Sequence, residues 1–338
     1  MARIVTGIKP TGAPHLGNYL GMIRPALELA AEQDAYYFIA DYHALNTAPA
    51  PDEVHQRSIV IAATLLALGL DPARTALYRQ SDVPEVFELT ALLATVTPKG
   101  LLNRAHAYKA RVDANQCHGR NPDAGVNMGL FTYPLLMAAD ILAPAADVVP
   151  VGGDQRQHLD ITLDVATAFN ARVGPVLTVP EGRVDGRAEV VVGTDGRKMS
   201  KSYANTIPVL APPEVLRKAV MGIVTDSRPV EAAKDPGHDT VFRLFELVAP
   251  PQEVDQLRVR YLAGGTGYGE AKELLLDVLI DSFAVARERY AELIASPGEI
   301  ADLLDLGAQQ AHELARTTLD QAREAIGIRP LATPVASR

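Results

Sequence analysis

Two short segments carry side chains able to grip an anion. Lys198-Met199-Ser200-Lys201-Ser202 sets two ammonium groups and two hydroxyls within five residues, directly after the turn-forming run Gly193-Thr194-Asp195-Gly196-Arg197. Such a loop could close on an anion through charge-assisted hydrogen bonds; the alternative is a solvated basic loop. Near the start, Gly7-Ile8-Lys9-Pro10-Thr11-Gly12 runs into Ala13-Pro14-His15-Leu16-Gly17-Asn18. The spacing of Gly7 and Gly12 suits a P-loop, but Ala13-Pro14 stands where that motif needs Lys and Ser or Thr, so a P-loop is excluded. What remains is a glycine-rich turn entering a helix whose first residues include His15 and Asn18. Unpaired N–H groups and partial positive charge at a helix N-terminus suit phosphate, and Gly17 would let a ligand approach the backbone closely.

Four further features bear on chemistry. Asp140 lies within the apolar run Leu135–Leu142, where an unpaired carboxylate would be costly to bury. It is therefore a ligand-facing acid, a partly exposed acid or half of a structural salt bridge. Between Arg104 and Arg120 the cations Arg104, Lys109, Arg111 and Arg120 oppose only Asp113, which marks either a phosphate-binding surface or a solvated loop. Cys117 beside His118 offers too few ligands for a metal site. Gly265-Thr266-Gly267-Tyr268-Gly269 follows no strand, which makes it a helix–helix connection rather than a dinucleotide loop.

The elements that must position these residues follow from periodicity. Strands are expected at Arg3–Thr6, Tyr36–Ala40, Ala76–Tyr78 and Val148–Val151, alternating with helices at Leu16–Glu32, Pro51–Leu68, around Leu135–Leu142 and at Asp154–Ala171. This alternation implies a parallel sheet covered on both faces, with ligands beyond the carboxyl ends of its strands. After about Val192 helices dominate: Pro213–Met221, Val241–Val248, Glu253–Leu262, Glu270–Ala295 and Glu299–Ile326, punctuated by Pro250-Pro251, Gly264-Gly265 and Pro297-Gly298. The expected fold is α/β: a Rossmann-like parallel-sheet nucleotide-binding domain over 1–202, an all-helical domain over 203–328 and a loose tail at 329–338. With 48% hydrophobic and 22% charged residues over 338 positions, a sizeable core is available and wholesale disorder is excluded. The net charge of −9 argues against a uniformly basic nucleic-acid binder but not against a local basic surface. One cysteine excludes an internal disulfide, a four-cysteine zinc site and an iron–sulfur cluster. No apolar run reaches the roughly 18 residues of a membrane span, and the first residues lead directly into a strand, so a cytoplasmic protein is expected.

Taken together, His-Leu-Gly-Asn at 15–18 and Lys-Met-Ser-Lys-Ser at 198–202 resemble the HIGH-like and KMSKS motifs of class I aminoacyl-tRNA synthetases. The blocks Tyr133-Pro134-Leu135-Leu136-Met137-Ala138-Ala139-Asp140-Ile141-Leu142 and Pro150-Val151-Gly152-Gly153-Asp154-Gln155-Arg156-Gln157-His158-Leu159 narrow the resemblance to the bacterial tryptophanyl-tRNA synthetases, from about Ile4 to Ile326. The resemblance implies activation of L-tryptophan by ATP and transfer to tRNA(Trp). It assigns catalytic roles to Lys198, Lys201, His15 and Asn18. ATP contacts are implied at Lys9, Thr11, Gly17, Gly152, Asp154, Met199, Ser200 and Ser202, and tryptophan contacts at Asp140, Tyr133, Gln155, Met137, Ile141, His43 and Val5. Asp140 would accept the indole N–H, and Tyr133 and Gln155 would accept the α-ammonium. Core packing for Met137 and Ile141, helix capping for Asp154 and a structural role for His43 are the competing readings.

Three positions depart from the usual pattern of that family: Val5 where phenylalanine is common, Lys9 where glutamine is common, and Gly153 in place of a frequent glutamate. They bear on affinity and on the response to tryptophan-mimicking inhibitors, with tryptophan still the expected substrate. The resemblance also implies Mg²⁺ carried in with ATP, no protein-held metal, a homodimer bridged by tRNA, and an anticodon contact on the helical domain.

Overall fold

A computed structural model describes residues 1–47, 49–151, 155–184 and 191–329. Five strands, β1 (Arg3–Ile8), β2 (Asp34–Ile39), β3 (Thr75–Arg79), β4 (Val148–Val151) and β5 (Glu181–Val184), form one sheet in the order β3-β2-β1-β4-β5. Every neighbouring pair is parallel; β1 runs beside β2 from Arg3↔Asp34 to Ile8↔Ile39 and meets β4 at Ile4↔Val148. The strand order reverses between β1 and β4, which is where doubly wound sheets open a crevice for ligands. β2 is buried along almost its whole length, as its apolar run requires of a central strand.

The segment after β1 forms a short helix α1 (Leu16–Asn18), a π-helical turn at Tyr19–Ile23 and α2 (Arg24–Ala30). The wide turn closes on Arg24 N–H donating to Tyr19 O, one residue before Pro25. Proline has no N–H and its ring crowds the carbonyl four residues back, so the local widening accommodates it. α3 (Asp41–Ala44) follows β2, α4 (Pro51–Ala67) connects towards β3, and α5 (Glu85–Ala94), α6 (Lys99–Leu102), α7 (His106–Cys117), α8 (Met128–Leu142) and α9 (Arg156–Val173) complete the α/β part. The basic stretch is thus largely the helix α7, not a loop.

Beyond 191 lie α10 (Pro213–Met221), α11 (Thr240–Val248), α12 (Pro251–Ala263), α13 (Tyr268–Ser282), α14 (Ala284–Ala295) and α15 (Pro297–Ala325). The glycine-rich run at 265–269 joins α12 to α13, as its setting implied. The single helix expected over Glu270–Ala295 is two, divided at Phe283, whose buried ring packs edge-on against Tyr19 at 4.9 Å. Helices α10–α13 build one core with Leu16, Leu20, Val191, Val192 and Met199. α15 does otherwise: Ala308, Ala311, Ala315, Leu319 and Ala322 join the core of the sheet, with Val5, Tyr36 and Tyr78. The stretch 203–328 therefore divides among three cores, because Leu293 of α14 and Ile300 and Leu304 of α15 pack with Ile4, Tyr37 and Leu65 in another. The small residues of α15 permit close approach; a Cβ on Gly307 would lie 2.1 Å from Leu77 O, so the helix sits on the backbone of edge strand β3 and covers it. Arg323 bonds Glu88 through two nitrogens at 2.6 and 2.5 Å, and His312 bonds Glu85 at 3.0 Å, fastening α15 to α5.

Candidate active site

The His-Leu-Gly-Asn and Lys-Met-Ser-Lys-Ser segments meet at the carboxyl end of β1. His15 caps α1: its Nδ1 accepts from Asn18 N–H at 3.3 Å while Asn18 Oδ1 accepts from His15 N–H at 3.2 Å. With Nδ1 an acceptor, the ring proton sits on Nε2, and His15 Nε2–H and Asn18 Nδ2–H remain as donors. His15 is 7% exposed, and burial pulls its imidazole down to about 4, with the Lys201 ammonium acting in the same direction. It is thus a neutral donor at physiological pH.

The Lys-Met-Ser-Lys-Ser segment crosses onto this turn. Lys201 Nζ donates to Thr11 O at 3.0 Å, and Gly17 N–H points at Met199 Sδ at 3.3 Å. A Cβ on Gly17 would lie 3.1 Å from His15 ring atoms and 3.4 Å from Met199 Cβ, so the close approach expected at Gly17 is made by the protein's own loop. Burial lowers the Lys201 ammonium below its usual value, and nearby Arg57 adds to this; burial also lowers Lys9. Lys9 is half-buried, and its ammonium has no hydrogen-bonding or ionic partner among the described residues. Asn205, 2% exposed, organises the loop from inside: Nδ2 donates to Asp195 Oδ1 at 2.7 Å and Lys198 O at 3.1 Å, and Oδ1 accepts from Ser200 N–H at 2.8 Å. These bonds, with those from Arg197, hold the Asp195 carboxyl at about 2. Ser200 Oγ and Ser202 Oγ pair at 2.8 Å, while Lys198 bridges Val192 through its backbone and leaves its ammonium exposed.

Beyond the ends of β2 and β3 lies a second cluster. Asp140, on α8 and 3% exposed, accepts from His43 Nε2 at 2.9 Å on Oδ2 and from Gln80 Nε2 at 2.8 Å on both oxygens. The contact with His43 is thus present, and it engages Oδ2 alone while Gln80 spans both oxygens. Burial raises the Asp140 carboxyl above the usual carboxylate range, against the bonds from His43 and Gln80. Two turns earlier on α8, the Tyr133 hydroxyl pairs with His158 Nε2, and His158 Nδ1 faces Gln155 Oε1 at 2.8 Å. A neutral imidazole donating to Gln155 accepts from Tyr133, leaving lone pairs on the Tyr133 oxygen for a cation.

Asp140, His43, Tyr133 and Gln155 are thus gathered as one cluster. Val5 and Ile141, at 0% and 3% exposure, lie in the sheet core, and half-buried Met137 packs against that core. Packing is what the structure gives all three. Gly152, Gly153 and Asp154 lie outside the described residues. Gln80, His158 and Asn205 were not anticipated. A signal existed for His158, three residues after Gln155 on a helical stretch, and for Gln80, at the carboxyl end of a strand. Arg104, Lys109, Arg111 and Arg120 are all exposed, and none enters an ion pair among the described residues. No group of three or more His, Cys, Asp or Glu among the described residues could hold a metal ion. No helix among them is long and apolar enough to cross a membrane.

A parallel sheet of this order, with cationic and amide donors on one side of its carboxyl edge and a buried carboxylate on the other, defines a nucleotide-binding protein of the doubly wound α/β class. Residues 1–284 match the family described as tRNA synthetases class I (W and Y), and the chain belongs to that family. It is 47% identical to a tryptophan–tRNA ligase of Neisseria meningitidis, covering 97% of this chain and 98% of that protein. A tryptophan–tRNA ligase of Rhodopirellula baltica is 46% identical over 97% of this chain and its own full length. Among solved structures, the tryptophanyl-tRNA synthetase of Campylobacter jejuni complexed with ADP and tryptophan superposes with a TM-score of 0.89 at 41% identity, covering 96% of this chain and 99% of that one.

Proposed function

We infer that this chain is a tryptophan–tRNA ligase that activates L-tryptophan with ATP and transfers it to tRNA(Trp). The observation that carries this is 47% identity to such a ligase over 97% of the chain. In the first step a tryptophan carboxylate oxygen bonds to the α-phosphorus of ATP, the bond to the β-phosphate oxygen breaks, and pyrophosphate leaves. In the second, a terminal ribose hydroxyl of tRNA attacks the adenylate carbonyl and AMP leaves. Neither step needs an enzyme nucleophile, so positioning and charge stabilisation must supply the rate.

Lys198 and Lys201 take the pyrophosphate side of the nucleotide, and His15, Asn18 and Thr11 the phosphate edge of the first turn. Closure of the loop would exchange the Thr11 carbonyl for a phosphate oxygen at Lys201. Lys9, half-buried and unpaired, sits at the same mouth as a further cation. Met199, Ser200, Ser202, Gly17, Gly152 and Asp154 belong to the nucleotide side. Mg²⁺ carried in with ATP would supply neutralisation of phosphate charge. On the other side Asp140 accepts the indole N–H, supported by its burial and its fixed partners, and Tyr133 and Gln155 meet the α-ammonium.

The exposed cations of Arg104–Arg120 support an acceptor-stem contact there, with 203–328 reaching the anticodon, 329–338 a tail, and a cytoplasmic homodimer as the working assembly. The test of the activation step is ATP–pyrophosphate exchange run separately with each amino acid. Exchange confined to tryptophan is expected; exchange with tyrosine would reassign the specificity, and none with any amino acid would remove the enzyme reading.

A further inference from the structure

Gln80 stands where β3 passes into a 3₁₀ turn at Gln80–Asp82. Its neighbours are bound away from it: Arg79 pairs with Asp82 through two bonds at 2.8 and 2.6 Å, and Ser81 donates to Asp41 through N–H at 3.1 Å and Oγ at 2.5 Å. The turn is thereby fixed, and Gln80 alone of these residues is turned inward, at 1% exposure. Its Nε2 lies 2.8 Å from both oxygens of Asp140, spanning the mouth of the carboxylate. His43 takes Oδ2 only, so Oδ1 has one partner and keeps acceptor capacity. Gln80 Oε1 is buried with no hydrogen-bond partner among the described residues. An unpaired buried acceptor is costly, and a methionine or leucine would fill the space without that cost. An amide kept there at a loss in stability points to a function for the Nε2–H donors.

We propose that Gln80 is the positioning residue for tryptophan specificity, orienting Asp140 and holding it as an ionised acceptor whose Oδ1 receives the substrate N–H. This rests on the tryptophan-activating reading above. Burial favours a protonated Asp140, which would offer the indole N–H a weaker acceptor. Besides His43, the charged and titratable groups that bear on Asp140 are Asp41 and, on β3, Tyr78. Asp41 favours the protonated form, so Gln80 and His43 together must oppose it.

The experiment is pyrophosphate exchange by the full chain with tryptophan and with β-(3-benzothienyl)alanine, in which sulfur replaces the indole N–H. For Gln80→Met, KM for tryptophan rises at least about tenfold while KM for the analogue and for ATP stay within about twofold, a collapse of N–H discrimination. Because a donor to the carboxylate is lost, the acid-side rise of the tryptophan KM moves to higher pH. Gln80→Glu, near-isosteric, keeps the proposal testable if the first variant does not fold. Its two carboxyls share one proton, so tryptophan KM is near the wild-type value at about pH 6 and rises towards about pH 8.5, opposite in sign to Gln80→Met. Folded variants with unchanged discrimination and unmoved pH profiles would overturn the proposal while leaving the ligase reading intact. Wild-type exchange supported by another amino acid instead of tryptophan would overturn both.

Discussion

At the scale of single residues, the site depends on where burial places charge. Lys201 sits against the turn that carries His15, so truncation removes the phosphate donor we propose there without touching the Asp140 cluster. Lys201→Ala is expected to lower the rate of tryptophan activation by at least about tenfold with little change in tryptophan KM, read by pyrophosphate exchange. Asp140→Ala acts on the other side: it leaves the His43 and Gln80 donors without their carboxylate and removes the indole acceptor we propose. We expect tryptophan kcat/KM to fall by at least about 10²-fold, more than for the benzothienyl analogue, and unchanged tryptophan affinity would remove Asp140 from the pocket. His15 makes a separate prediction. Its imidazole is lowered from an ordinary 6.5 to about 4, so between those values the unfolded chain binds the proton and the folded one does not. Stability contributed by His15 is therefore present above 6.5 and is lost as pH falls towards 4. NMR titration should show a neutral His15 at pH 6 and protonation only near about 4, and His15→Asn should flatten this part of the stability profile.

At the scale of elements, each substrate side is set by a segment leaving a strand end. β1 leads to the His15 turn, β2 to His43 and β3 to Gln80, while α8 carries Tyr133 and Asp140 across from them. Asn205 does the corresponding work for the Lys-Met-Ser-Lys-Ser loop. Asn205→Ala removes donors to Asp195 and Lys198 and the acceptor for Ser200; ATP KM should rise and kcat fall, each by about threefold to tenfold, with tryptophan KM unchanged. The central strands were legible in the sequence because they are buried on both faces and read as continuous apolar runs. β5 was not, since Glu-Gly-Arg-Val has neither run nor alternation. The break at Phe283 was hidden because phenylalanine is no helix breaker by itself; the packing partner Tyr19 lies far away in the chain. The same holds for the site. Asp140, His15 and the two lysines stood out by type and setting, whereas Gln80 and Asn205 acquire meaning only from partners brought to them by the fold.

At the scale of the whole molecule, α15 binds the end of the chain to the sheet. Its alanine stripe and Gly307 let it lie on β3, the strand whose end carries Gln80. Gly307→Ala would force a methyl group against Leu77 O, and we expect a loss of about 1–3 kcal/mol by denaturant unfolding. Lys201 itself meets the first turn through one exposed bond, to Thr11 O, whereas Met199 is anchored against Gly17 and in the core with Leu16, so the loop closure we propose is a movement of the Lys201 end about a fixed Met199. The exposed cations Lys109 and Arg111 of α7, two residues apart and so on different sides of the helix, are the ones we propose to meet tRNA phosphates on an otherwise acidic chain. Replacing Lys109 and Arg111 together by alanine should weaken tRNA binding and reduce the steepness of its salt dependence by about 1–2 released ions, while exchange without tRNA is unaffected.

The most direct measurement is transfer of radiolabelled amino acid by the purified chain, with ATP and Mg²⁺, to tRNA(Trp) and in parallel to tRNA(Tyr). Tryptophan should accumulate on tRNA(Trp) with release of AMP, and tyrosine should be charged to neither. Charging of tyrosine, or pyrophosphate exchange with tryptophan but no transfer to any tRNA, would contradict the account.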